Sequence, residues 1–222
     1  MKILCIADIH GFLDGLGDVK DYVGKNNINT IFLLGDYSAG FEDLARNRRE
    51  TEQILDELSE ASMVYAIPGN CDDPKVIGIF ERKNANMHER VIVLDNVSFI
   101  GLGGSNSTPF GTPIEMDEDY IFKKLSGMLD EAKTERKVLV THFPPKDTEC
   151  DNIPGVGHVG SPSLRRVIEE NRPDLCVCSH IHEGAGKSDA IGKTRIINVG
   201  PLASGNLAVL DTLDLSESQE IL

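Results

Sequence analysis

The sequence predicts an α/β protein, and three observations carry that prediction. Short apolar runs at residues 3–7, 31–34 and 63–67 alternate with longer amphipathic stretches, the βαβαβ pattern of a parallel sheet with right-handed crossovers. Five apolar runs lead directly into Asp, Asn or His, and in open α/β sheets ligands gather outside the carboxyl ends of the strands. The third observation is length. A chain of 222 residues builds one large domain with a proper core, residues 1–222, where two would be cramped.

Residues 3–7 are apolar throughout and read as a fully buried strand. Residues 13–25 carry Leu16, Val19, Tyr22 and Val23 at helical spacing. The next strand is 31–34. Across 42–61, Leu44, Ile54, Leu55 and Leu58 stand among charges, as on a long surface helix. The third strand, 63–67, stops at Pro68-Gly69. Residues 91–94 and 98–102 flank Asp95-Asn96, a hairpin signal, and a Gly-, Ser- and Pro-rich loop covers 103–113. Residues 120–133 are helical, with Ile121, Leu125, Met128 and Leu129 on one face. A strand at 138–141 leads to His142. Ser161-Pro162 opens a helix with an N-cap and a first-turn proline, and Pro173 prevents its continuation. Strands follow at 175–178, 195–198 and 207–213, and 215–222 reads as a frayed tail.

Composition narrows the function. Hydrophobic residues make up 40% and charged residues 26%, as in an ordinary soluble globule. A net charge of −14 repels duplex nucleic acid and anionic membrane surfaces. An anionic substrate must therefore be drawn in by cations held locally. No apolar run approaches membrane-spanning length, and the one at the start meets Asp8 too soon for a signal-peptide core. Cys5, Cys71, Cys150, Cys176 and Cys178 form no C-x-x-C clip and suit a reducing compartment. The expectation is a cytoplasmic protein.

The chemistry lies at the strand ends. Residues 3–7 deliver Asp8 and His10; 31–34 deliver Gly35-Asp36; 63–67 deliver Gly69-Asn70-Cys71-Asp72; 138–141 deliver His142; 175–179 deliver His180 and His182. On extended backbone, His180 and His182 project to one side, a ready pair of nitrogen ligands. One such ending is commonplace, because Asp and Asn favour turns. Five together point to one site.

This ordered set, D-x-H, G-D, G-N-x-D, H and H-x-H, resembles the calcineurin-like metallophosphoesterase superfamily over residues 8–182. The resemblance implies a four-layer α/β/β/α sandwich with two mixed β-sheets and a centre of two divalent metal ions. Asp8, His10 and His182 would hold the first ion, Asn70, His142 and His180 the second, and Asp36 would bridge them. Mn is the expected metal, with Fe, Zn, Ni or Mg as alternatives, since the mixed ligand set does not choose among them. Such a pair, about 3.5–4 Å apart, acidifies a shared water and orients phosphorus for in-line attack. The expected substrate is small and phosphorylated. Small relatives often form dimers, so a homodimer is open, although no interface stripe is evident.

One block departs from the common pattern. Many family members have His after the Asn of the third block, where it assists the leaving oxygen; here Cys71 stands. A thiol is a weak donor and no cation, and Asp72, which in relatives orients that His, is left without an evident client. The expectation is a phosphodiesterase rather than a monoesterase. His158, in the flexible Gly155-Val156-Gly157-His158 loop, is a candidate replacement acid, its ordinary pKa suiting proton transfer; a plain surface histidine is the competing reading. His88 lies in a polar segment and reads as exposed; Lys146 reads as a solvated loop lysine, with a substrate anion as the alternative partner, and Asn106 lies in a loop that turn chemistry explains, with a substrate contact as the alternative. Gly192-Lys193-Thr194 mimics a P-loop but lacks the glycine five positions earlier. Two rival functions stay in view: an inactive metal-bound scaffold that binds proteins, disfavoured by the intact set of seven ligands, and a nuclease of DNA ends, opposed by the acidic charge.

Overall fold

The computed structural model describes all residues, 1–222. Two mixed sheets carry the fold. The first runs, edge to edge, Glu217–Ile221, Asn206–Asp211, Lys2–Ile6, Thr30–Leu33, Met63–Ala66. Its last three strands are parallel, as the βαβαβ pattern predicts, and Asn206–Asp211 joins antiparallel. The second runs Ser188–Ile191, Thr194–Asn198, Leu175–Cys178, Arg136–Thr141, Val97–Leu102, Arg90–Leu94. Its four inner strands are parallel, and each edge is a hairpin partner.

Strand periodicity explains the layering. In Lys2–Ile6, Ile3 and Cys5 join a buried cluster with Phe32, Phe99, Val138, Val140 and Val177, so the two sheets face each other. Leu4 and Ile6 point the other way, onto Leu16, Val19, Ile54, Leu55, Leu58 and Phe80 of the helices on that side. In the second sheet Leu139, Cys176 and Cys178 likewise turn from the sheet interface onto Ile121, Leu125, Leu164 and Ile168. Every residue of Leu175–Cys178 is buried, which is why the strand is apolar on both faces.

Helix limits follow their caps. Asp43 accepts from the Arg46 N–H and starts Leu44–Ser59; Asp117 and Ser161 do the same for Glu118–Glu131 and Pro162–Asn171. Asp95 and Asn96 both take positive φ, 50° and 60°, giving the tight turn that matches hairpin twist. No helix is long and apolar enough to cross a membrane, and all five cysteines are free.

Two expectations need correction, and two elements carried no local signal. The end of the chain is no frayed tail: Glu217–Ile221 pairs antiparallel with Asn206–Asp211 as an edge strand. Helix Val76–Arg82 and strand Ser188–Ile191 were not legible as such. His88 is largely enclosed, its side chain 10% exposed; Nδ1 accepts from the Gly103 N–H at 3.0 Å. Burial outweighs the neighbouring Glu89 and pushes the His88 imidazole down to about 4. Asn106 is likewise engaged, Nδ2 reaching the Val159 carbonyl at 3.3 Å.

The loops that end the parallel strands are pressed together. A Cβ on Gly35 would lie 2.1 Å from the Gly69 nitrogen, and one on Gly69 would lie 2.0 Å from Asp36 Oδ1. The glycines preceding Asp36 and Asn70 are therefore steric requirements of bringing these two residues to one place. Gly69→Ala is expected to destabilise the protein by about 1–3 kcal/mol and to displace Asp36; chemical unfolding of the metal-free protein measures it, and wild-type stability would contradict the close approach.

Candidate metal centre

The strand-end residues do converge. Asp8, His10 and His182 bring one ligand atom each within 4.8 Å of one another, and so do Asp36, His142 and His180. Asn70 joins the second group, with Oδ1 3.1 Å from His142 Nε2. The groups abut: Asp36 Oδ2 lies 3.7 Å from His10 Nε2 and 3.5 Å from His142 Nε2. Asp36 thus stands between the two clusters. All seven residues that the sequence singled out as ligands are in one place.

The backbone is bent to achieve this. Asp8, His10, Asp36 and His180 occupy left-handed conformations, with φ of 47°, 44°, 56° and 67°. Such conformations cost of order 1–3 kcal/mol each for non-glycine residues and collect at functional sites. Hydrogen bonds hold them: the Asp8 N–H donates to the Gly35 carbonyl at 3.0 Å and the His10 N–H to the Asp36 carbonyl at 2.9 Å. Asn198 Nδ2 reaches the carbonyls of Ser179 and Ile181, at 3.3 and 2.9 Å, and so pins the turn bearing His180 and His182.

Donor chemistry fits a cation. Asp8 Oδ1 is buried and has no hydrogen-bond partner. Imidazole nitrogens surround it at 3.6 Å (His182), 3.8 Å (His10) and 4.0 Å (His142), beyond hydrogen-bond reach. Ligands of one small cation, each about 2.0–2.2 Å from it, stand apart in this manner. The other Asp8 oxygen accepts from Ser179 Oγ and from the His180 N–H. His142 Nδ1 donates to the Leu34 carbonyl at 2.7 Å, because a carbonyl can only accept; when the ring is neutral, Nε2 is then the nitrogen with a lone pair to give.

Charge tells the same story. Burial alone would raise the carboxyl pKa of Asp36, but the His142 charge and hydrogen bond outweigh it and hold it well below the usual range. Asp8 is also lowered, burial being outweighed by His182 and His142. Burial disfavours a charged His142, yet Asp36 and Asp8 hold it up to about 9. Burial and His142 push His180 down to about 4, so it is a neutral donor. The pocket is built around positive charge.

The remaining candidates fall elsewhere. Asp72 is fully buried and does have a client, the backbone of the bridging loop. Oδ2 accepts from the Gly69 and Asp36 N–H groups at 2.7 and 2.9 Å. Oδ1 accepts from Tyr37 N–H and Asn47 Nδ2 at 3.0 and 2.8 Å. With all four donors engaged, Asp72 acts as a brace for Asp36 and not as an acid or base on substrate. Burial and the Asp36 charge hold it up at about 6 against those donors. Cys71 is half-buried; its N–H donates to Asp36 Oδ1 at 2.9 Å, and its Sγ accepts from Asn70 Nδ2 at 3.5 Å. Burial and the Asp36 charge push its thiol far above the ordinary value. His158 is paired through Nδ1 with the buried Asp151 carboxylate at 2.7 Å, on the hairpin next to the turn His182–Gly184. Ser179, Asn47, Asn198 and Thr112 also serve the site, and none carries a local motif.

Comparison with known proteins agrees with this geometry. The family pattern described as calcineurin-like phosphoesterase matches residues 1–184. The uncharacterized protein MJ1162 of Methanocaldococcus jannaschii is 34% identical over 225 residues, covering 95% of this chain and 96% of that one. Among solved structures, a dimetal phosphatase from Danio rerio matches with a TM-score of 0.69 at 14% identity, over 94% of this chain and 91% of that one. A novel archaeal phosphodiesterase matches with a TM-score of 0.59 at 14% identity, over the whole of both chains. At such identities these structures share the fold alone. The family match and the ordered ligand blocks together show that this chain belongs to the calcineurin-like phosphoesterases.

Proposed function

We propose that the protein is a dinuclear-metal phosphoric ester hydrolase that favours phosphodiesters, and esters with good leaving groups, over alkyl monoesters. The observation that carries the reading is the convergence of Asp8, His10 and His182 with Asp36, Asn70, His142 and His180 around an unpartnered buried carboxylate oxygen. When bound, two divalent ions supply Lewis-acid charge to phosphoryl oxygens and lower the pKa of a water so that it attacks near neutral pH; Mn is the ion we expect. Asp36, standing between the clusters, would contact both ions. Asp72 and Asn47 keep Asp36 in place. The ions also offset the −14 charge of the chain, which otherwise repels a phosphate.

Leaving-group preference follows from Cys71. A neutral thiol offers the departing oxygen only a weak hydrogen bond, so an alkoxide leaving from a doubly charged monoester is poorly served. A diester carries less charge. His158 sits on the hairpin whose other strand packs against the turn His182–Gly184, and its bond to Asp151 orients the ring. Burial being the lesser effect, the Asp151 hydrogen bond raises its pKa, and we assign it as proton donor to the leaving oxygen. Small acyclic or cyclic diesters suit this arrangement; a rigid acidic duplex does not.

Two outcomes check this. Mn is expected to raise the melting temperature of the wild-type protein and to support turnover of a chromogenic phosphodiester, and Asp36→Asn is expected to abolish both while folding normally. A folded wild type without any divalent response would refute the dinuclear reading, and a responsive one without turnover would favour the scaffold. Cys71→His should raise alkyl monoester turnover more than diester turnover, and His158→Ala should slow alkyl diesters more than p-nitrophenyl diesters. Proportional changes across both substrate types would show that neither residue meets the leaving group.

A further inference from the structure

An asparagine ligand has a weakness that aspartate lacks. Its amide is nearly symmetric in shape, but only Oδ1 can hold a cation, and the flipped rotamer would present Nδ2. Something must choose the orientation of Asn70. The choice is made by a loop far away in sequence. Asn70 Nδ2 donates to Thr112 Oγ1 at 3.1 Å, with Cys71 Sγ as its other acceptor. The opposite end of the amide, Oδ1, faces His142.

Thr112 could in principle pair with either end of that amide, donating to Oδ1 or accepting from Nδ2, since a hydroxyl does both. Glu115 removes the ambiguity. Its Oε1 accepts from Thr112 Oγ1 at 2.7 Å, from the Thr112 N–H at 2.8 Å and from Thr108 Oγ1 at 2.6 Å. Burial works against the Glu115 charge, but the Thr108 and Thr112 donors outweigh it and hold its carboxyl at about 2. A carboxylate accepts only, so the single hydroxyl proton of Thr112 is committed to it. Thr112 then has only lone pairs to offer, and these bind an N–H. The Ile114 N–H donates to the Asn70 carbonyl at 3.1 Å, fastening the same loop to the same residue.

We propose that Thr112, with its proton committed to Glu115, is a positioning residue that sets the orientation of the Asn70 amide and so presents Oδ1 to the ion of the Asp36, His142 and His180 cluster. The inference rests on the dinuclear reading. It predicts selectivity between the two ions, because the loop's hydrogen bonds to the site run to Asn70 and not to Asp8, His10 or His182.

Calorimetric titration of the metal-free protein with Mn tests it. Wild type is expected to take up two ions. Thr112→Val, which keeps the shape and removes the hydroxyl, should weaken one ion by about 10-fold or more and leave the other within twofold. Thr112→Ser should restore wild-type binding. In an Asn70→Asp background both side-chain oxygens can ligate, so Thr112→Val should have no further effect there. Glu115→Leu, which removes the acceptor and frees the hydroxyl proton, should weaken the same ion to a smaller degree, and it decides the matter if Thr112→Val does not fold. Unchanged binding, or equal weakening of both ions, would overturn the clamp. A folded wild type that takes up fewer than two ions would overturn the dinuclear reading instead.

Discussion

Two buried carboxylates that share His10 and His142 as neighbours are the constraint on which the rest of the molecule depends. Asp8 is fully enclosed and Asp36 nearly so, where unpaired charge is costly. Neither finds a salt-bridging lysine or arginine; their neighbours are imidazoles. An enclosed pair of carboxylates with imidazoles and no lysine or arginine around it suits bound cations, and the chain is arranged to keep that pair in place. Asp72 braces the loop of Asp36, Ser179 grips Asp8, Leu34 fixes the tautomer of His142, and Asn198 pins the turn of His180 and His182.

The cost of the arrangement is written in the backbone. Four ligands take left-handed conformations, and two glycines allow loops to approach more closely than any side chain permits. None of this favours folding, so the two packed sheets must overdetermine it. Several strands that deliver ligands are wholly buried at the end next to the site, as in Ile3–Ile6 and Leu175–Cys178. Rigid apolar strands behind and strained polar turns in front divide the work between stability and chemistry.

Much of this was legible from residues alone. Apolar runs announced the parallel strands, and the Asp, Asn and His after each announced the site, because both signals are local and strong. What escaped was weak or distant. Residues 217–221 are polar on both sides and show their strand only through pairing with 206–210. His88 sits among charged residues yet is enclosed by the backbone of Gly103. Asp72 lacked an evident client because its partners are backbone N–H groups 35 and 36 residues away, invisible to any side-chain pattern. Thr112 lies in the Gly-, Ser- and Pro-rich loop 103–113, and nothing local ties it or Glu115 to Asn70, 42 residues from Thr112.

The central claim concerns cations between Asp8 and Asp36, and anomalous diffraction from crystals grown with Mn tests it most directly. Two anomalous peaks about 3.5–4 Å apart, one beside Asp8, His10 and His182 and one beside Asn70, His142 and His180, with Asp36 touching both, are the expected result. Ordered protein whose site shows a single peak, or none, would contradict it.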